Sequence, residues 1–281
     1  MISVCMATYN GQKYIKEQID SILCQLSEDD ELVVSDDHSS DKTVDIISSY
    51  HDDRIKIYEN VSRLGVTHNF EHALNLSKGD IILFSDQDDV WFPNKIQELT
   101  DFLVQGKYDL VTCNCALTDA DLHVIQPEYY TTESPVDRSV WGNFMKDLWL
   151  GCCMAFKRSI LDEVLPIPQN IAAHDLWLAL YCQLHFKCGY YPKVLQWYRR
   201  HDDTVSFTGQ KNTNSLWYCA HMLLIVLLFA HSLYFVFVVH LRSKYTKNLP
   251  NSQRFYIFSY LCTRNSNYFN ILTSKQEDGI R

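Results

Sequence analysis

The chain has 281 residues, 47% apolar and 21% charged, enough to bury a large core and too hydrophobic for a disordered protein. Its 25 basic against 34 acidic side chains give a net charge of −9, which argues against nucleic-acid binding, a function that usually carries a basic excess. The ten cysteines include no C-x-x-C pair, and Cys113/Cys115 and Cys152/Cys153 are spaced wrongly for a zinc knuckle. Met1-Ile2-Ser3-Val4-Cys5 shows no basic or long apolar leader, and unpaired thiols suit a reducing compartment, so a cytosolic protein is expected.

From the N-terminus, short apolar runs alternate with helical patterns. Ile2 to Ala7 predicts a strand ending in the turn formers Thr8-Tyr9-Asn10-Gly11. Ile15, Ile19, Ile22, Leu23 and Leu26 then share one helical face. Glu31 to Ser35 predicts a second strand, followed by Asp36-Asp37-His38-Ser39-Ser40-Asp41 and a helix marked by Val44, Ile46 and Ile47. The unit repeats with Arg54–Tyr58 as strand and Val66–Leu76 as helix, and again with Asp80–Ser85 before a helix opened by Pro93 and carrying Ile96, Leu99, Phe102 and Leu103. Asp109–Cys113 makes a fifth strand. This alternation predicts an α/β fold with a Rossmann-like, mainly parallel sheet flanked by helices. Ligands in such sheets bind beyond the carboxyl ends of the strands. The polar runs Thr8–Asn10, Asp36–Asp41, Asn60–Arg63 and Asp86–Asp89 all fall there.

Asp86-Gln87-Asp88-Asp89 directly follows a buried strand. Three carboxylates within four residues repel one another unless a cation sits among them, and oxygen ligands suit Mg²⁺ or Mn²⁺. The same run would also serve as a solvated turn before a helix, though three neighbouring polar rims favour the metal. Asp36 and Asp37 could accept from the donors of a base or ribose, or cap the following helix, a task Ser39, Ser40 or Asp41 already supplies. Arg63 reads as a phosphate contact or a solvated cation, and Tyr9 as a base contact or a half-buried strand-end ring. There is no G-x-G-x-x-G, no G-x-x-x-x-G-K-[ST] and no G-x-S-x-G, which argues against dinucleotide oxidoreductases, P-loop enzymes and serine hydrolases.

Val4-Cys5-Met6-Ala7-Thr8-Tyr9-Asn10-Gly11, Val34-Ser35-Asp36-Asp37-His38-Ser39-Ser40-Asp41-Lys42-Thr43 and Phe84-Ser85-Asp86-Gln87-Asp88-Asp89-Val90-Trp91, in that order, resemble the family 2 glycosyltransferases. The last run is similar to the rhamnosyltransferase-like branch that builds bacterial O-antigen and capsule chains, and the resemblance covers residues 1 to 208. It implies a GT-A fold, a nucleotide-sugar donor and inversion at the anomeric carbon. On that resemblance Thr8, Tyr9, Asn10, Asp36, Asp37 and Arg63 line the donor nucleotide, and Asp86 and Asp88 hold Mg²⁺ or Mn²⁺. Asp89 shares that site or meets the ribose. Gly151–Phe156 resembles the strand beside the acceptor, and Ala173-His174-Asp175-Leu176-Trp177 the segment carrying the general base, here Asp175. Inversion needs such a carboxylate on the acceptor side; the plain alternative is an acid interacting with a helix dipole. Tyr198-Arg199-Arg200-His201 resembles the closing motif, with Arg199 and His201 as diphosphate or metal contacts, but the usual Asn is replaced by Asp202-Asp203-Thr204.

Composition changes near Ser215. The sequence divides into a domain over 1–210 and a hydrophobic helical extension over 211–281. Met222 to Val239 is long enough to raise a membrane span, yet Arg242, Lys244, Lys247 and Arg254 after it would place the wrong end in the cytosol. A helix over 216–241 lying on the membrane surface avoids that conflict, ahead of one packed internally and of a true span. No chemistry is assigned to 248–281.

The expectation is therefore an inverting, hexosyltransferase-type enzyme at the inner face of the membrane. It would transfer sugar from a UDP- or dTDP-sugar to a growing, lipid-linked bacterial surface polysaccharide, with no nucleic-acid partner. A non-catalytic scaffold of the same fold, a sugar-1-phosphate nucleotidyltransferase and, last, a polysaccharide hydrolase are the alternatives.

Overall fold

The computed structural model of the chain describes residues 1–202, save 132–133, 138, 141–142, 144–148, 170 and 172. The expected extension over 211–281, with its membrane-surface segment 216–241, lies outside the described residues. Among the described residues no helix is long and apolar enough to cross a membrane.

Among the described residues nine strands, β1 to β9 in chain order, form one sheet in the order β3-β2-β1-β4-β8-β6-β9-β5, with β7 paired to β6. The first half follows the sequence alternation: β1 (Ile2–Thr8), α1 (Ile15–Leu23), β2 (Glu31–Asp36), α2 (Thr43–Ser48), β3 (Ile55–Glu59), α3 (Val66–Leu76) and β4 (Ile81–Ser85). β1 pairs in parallel with both β2 and β4, and β2 with β3. All six residues of β2 are buried, as a strand covered on both faces requires. On one face Val4, Met6 and Val34 pack with Ile15, Ile19 and Ile22 of α1 and Ile47 of α2. On the other, Cys5, Val33 and Phe84 pack with Phe70, Ala73 and Leu74 of α3.

Beyond β4 come β5 (Val90–Trp91), α4 (Lys95–Gln105), β6 (Leu110–Thr118), β7 (Val124–Gln126), β8 (Met154–Lys157), the short α5 (Leu161–Val164), α6 (His174–His185) and β9 (Cys188–Arg199). The helix expected to open at Pro93 starts at Lys95 instead, because Asn94 adopts a left-handed conformation with φ 70°. The fifth expected strand, extended here as β6, does not lie beside β4. β8 inserts between them, antiparallel to both, with Ile82 opposite Phe156 and Val111 opposite Ala155. That insertion restores the direction of β1 in β6, and β9 pairs with β6 in parallel. Leu178, Ala179 and Cys182 of α6 complete the second face.

Candidate active site

The carboxyl ends of β1, β2 and β4 are laced together. Thr8 Oγ1 donates to Asp36 Oδ1 at 2.7 Å, and the Asp37 amide donates to the Thr8 carbonyl at 2.8 Å. Asp36 also accepts from the Ser39 hydroxyl at 2.6 Å and the Ser39 amide at 2.8 Å. Asn10, at φ 49°, accepts from the Ser40 amide at 2.8 Å. Gln87 crosses the rim from the acidic loop: its Oε1 accepts from the Tyr9 amide at 2.9 Å and its Nε2 donates to the Tyr9 carbonyl at 3.0 Å. Gly11 makes room for that amide, since a Cβ there would lie 2.3 Å from Gln87 Oε1.

Asp37 accepts from the amides of Leu64 at 2.6 Å and Gly65 at 2.9 Å, which lead into α3, and from Asn60 Nδ2 at 3.3 Å. The sequence reading freed Asp36 and Asp37 for a ligand because other residues could cap. The structure instead buries both and gives each carboxylate oxygen a partner inside the protein. Arg63 stands over the rim with its side chain 60% exposed, its guanidinium 3.9 Å from the centre of the Tyr9 ring and its Nε 3.9 Å from Asp37. Tyr9 and Arg63 thus form one stacked shelf.

The acidic loop splits by environment. Asp89 is fully buried, accepting from the Arg199 amide at 3.0 Å and from Gln196 Nε2 at 3.0 Å. Burial, then the neighbouring Asp88 charge, pushes its carboxyl up to about 7. Asp88 meets His201, with Oδ2 2.7 Å from Nε2. Asp86 is half-buried, and its proton affinity lies well above the ordinary carboxylate range, first through desolvation and then through Asp89, Asp88 and Asp175. Arg199 does not reach a ligand position. It is 3% exposed, and its guanidinium donates to the carbonyls of Asp88 and Ala120 and to Glu17. The expected diphosphate contact at Arg199 is therefore corrected: that cation is spent holding the acidic loop to α1 and to the turn after β6.

Asp175 lies in the first turn of α6. Its Oδ2 accepts from the Gly151 amide at 3.0 Å and its Oδ1 from the Leu176 amide at 2.8 Å. It is close enough to Asp86 for its charge to contribute to the rise there. His174 beside it is buried, stacks on Phe70 at 3.9 Å, and has no hydrogen-bond partner for either ring nitrogen among the described residues. Burial pulls its pKa down, against the Asp175 charge, which favours the neutral imidazole.

This donor set fits a divalent ion. The ligand atoms that come together within 4.8 Å are carboxylate oxygens of Asp86 and Asp89 and the sulfur of Cys152, whereas Asp88, expected as the partner of Asp86, turns an oxygen to His201 instead. Crowded carboxylates that raise one another's proton affinity are relieved by a cation. Sequence reasoning missed Cys152, Gln87, Lys95, Gln196 and Gly151. Gln87 carried a local signal in its place inside the acidic run, and Gly151 and Cys152 in the segment that resembles the acceptor-side strand; Lys95 and Gln196 carried none.

The architecture is that of solved GT-A structures. S. aureus TarS in complex with UDP-GlcNAc superposes with a TM-score of 0.60 at 19% identity, over 72% of this chain and 59% of that one. A mannosyltransferase of Pyrobaculum calidifontis in complex with GDP-Man and Mn²⁺ gives 0.53 at 21% identity, over 77% and 59%. The chain belongs to glycosyl transferase family 2, whose profile matches residues 3–165. Curated relatives include an uncharacterized glycosyltransferase of Rickettsia typhi, 29% identical over 63% of this chain, and the dTDP-rhamnosyl transferase RfbG of Shigella flexneri, 28% identical over 70%. The matched region spans 57% of the Rickettsia protein's length and 72% of RfbG's.

Proposed function

We propose that this chain is an inverting, hexosyltransferase-type enzyme that moves a sugar from a UDP- or dTDP-sugar to a hydroxyl of a growing, lipid-linked bacterial surface polysaccharide. The observation that carries the reading is the meeting of two kinds of carboxylate. Asp86 and Asp88 end the donor rim, and Asp175 approaches from α6 near enough for its charge to reach Asp86. The nucleotide-sugar complexes of TarS and the mannosyltransferase, and the activity in RfbG's name, support the same reading.

In this mechanism the base of the nucleotide lies on the Tyr9–Arg63 shelf. Thr8, Asn10, Asp36 and Asp37 hold that shelf through the bonds already described. Asp86 and Asp88, with His201 beside them, would hold Mg²⁺ or Mn²⁺, which when bound neutralises charge on the departing nucleoside diphosphate. Asp89 fixes the loop from beneath. Asp175 accepts the proton of the acceptor hydroxyl as that oxygen attacks the anomeric carbon, and its bonds from the Gly151 and Leu176 amides fix the carboxylate in place. Attack opposite the leaving group inverts the configuration. The domain over 1–210 carries the catalysis, and a membrane-surface contact through 216–241 would bring it to a lipid-linked acceptor at the inner face of the membrane.

The test is a donor-turnover screen on the purified full chain. UDP-sugars, dTDP-L-rhamnose and GDP-sugars are offered with Mn²⁺, Mg²⁺ or EDTA, beside Asp88→Ala. Metal-dependent release of one nucleoside diphosphate, lost in the variant, is the expected result. Absence of nucleotide binding with either metal would sink the reading.

A further inference from the structure

A lysine is almost never fully buried without a counter-charge in contact. Lys95, the first residue of α4, is 0% exposed, and among the described residues its ammonium touches no carboxylate, although its charge reaches Asp89. It donates to the Cys152 carbonyl at 2.7 Å and to Gln196 Oε1, and lies 4.0 Å from the centre of the Trp91 ring. Gln196, itself fully buried on β9, turns its other end to Asp89 Oδ2 at 3.0 Å and to Cys152 Sγ at 3.0 Å. The ammonium thus reaches two places. Through the Cys152 carbonyl it grips the Gly151–Cys153 turn, whose first amide holds Asp175. Through Gln196 it grips Asp89, one residue from Asp88.

We propose that Lys95 is a positioning residue for sugar transfer, a buried post that sets the separation between the acceptor-side Asp175 and the donor-side Asp86 and Asp88. The inference rests on the catalytic reading of those three carboxylates. An apolar side chain of similar length would fill the space without the desolvation cost, so stability alone is a poor reason for an ammonium there. Fixing two loops at once is a task that directed hydrogen bonds perform and non-directional packing does not.

Lys95→Met tests this. The variant is expected to fold with a Tm a few degrees below the parent, since the Cys152 carbonyl and Gln196 Oε1 lose their donor. Its kcat should fall about 100-fold, the cost of a small misplacement of reacting groups. Donor KM should stay nearly constant, and transfer to a saccharide acceptor should fall more than donor hydrolysis by water. A purely structural role would lower both reactions together, in proportion to the folded fraction. Gln196→Met cuts the donor-side branch alone and should give a smaller loss, and the double variant should be no slower than Lys95→Met. Asp88→Ala and Asp175→Asn run beside them. If those two keep parental turnover, the catalytic reading itself fails. If they are inactive while Lys95→Met and Gln196→Met turn over at the parental rate and ratio, only the role of Lys95 is overturned. Unfolding of both Lys95→Met and Gln196→Met would assign the ammonium to stability and overturn it as well.

Discussion

Two glycines separate the halves of the site at the scale of single atoms. A Cβ on Gly151 would lie 3.0 Å from Asp175 Cβ and 3.1 Å from His174 Nε2. Gly151→Ala should therefore displace the base and lower kcat about 10- to 100-fold with donor KM unchanged, as steady-state kinetics would show. A Cβ on Gly11 meets only the mobile end of Gln87, at the cost of its two bonds to Tyr9. Gly11→Ala should instead raise donor KM and leave kcat nearly alone. Asp175→Asn removes the proposed proton acceptor and should lower turnover by about 100- to 10,000-fold while nucleotide binding, read by calorimetry, persists. None of these contacts is written locally in the sequence. Nothing beside Lys95 in the sequence marks it, because its partners Cys152 and Gln196 lie 57 and 101 residues downstream. Arg199 looked available to a diphosphate for the same reason: the three acceptors that consume its guanidinium come from distant parts of the chain.

Among the elements, α1 is closed at its C-terminal end by a residue from another unit. Arg54 Nη1 donates to the carbonyls of Leu23 at 3.1 Å and Leu26 at 2.6 Å, while Nη2 of the same guanidinium donates to Asp52 Oδ2 at 2.7 Å. Arg54 holds the Asp52 carboxyl at about 2, below its ordinary 3.8. A depressed carboxylate stabilises the fold fully above its ordinary pKa and loses that contribution as pH falls through the depressed one. Urea midpoints should therefore drop between about pH 4 and 2, and Asp52→Asn should flatten that slope, by about 1 kcal/mol for a partly exposed pair. Asp37→Ala should strip the amides of Leu64 and Gly65 of their acceptor and cost about 1–2 kcal/mol of stability in the same titration. The first four strands and their helices were legible because each apolar run had its own period and a turn at its end. β9 was not, since Cys188–Arg199 mixes exposed and buried positions and contains Pro192, so no alternation marks it. β8 was foreseen as a strand from its resemblance, but its antiparallel seat between β4 and β6 depends on pairing across the whole sheet.

For the molecule as a whole, the proposed donor site should make stability depend on ligand. Mn²⁺ together with UDP or dTDP should raise the unfolding temperature, EDTA should reverse the gain, and Asp88→Ala should abolish it, an effect worth about 2.7 kcal/mol at one hundred times Kd. The place of β8 also governs the order in which this chain can fold. β4 ends at Ser85, yet the strand that covers its open side begins at Met154, after β6 and β7 have been synthesised. Until then the growing chain carries a finished donor rim beside an unpaired row of peptide groups along Ile81–Leu83, the kind of edge that recruits strands from other chains. A nascent or truncated product ending before β8 is thus a seed for aggregation. One that extends past β8 can seal that edge itself, and the same stretch of chain carries the Gly151 turn that holds Asp175 up to the acidic loop.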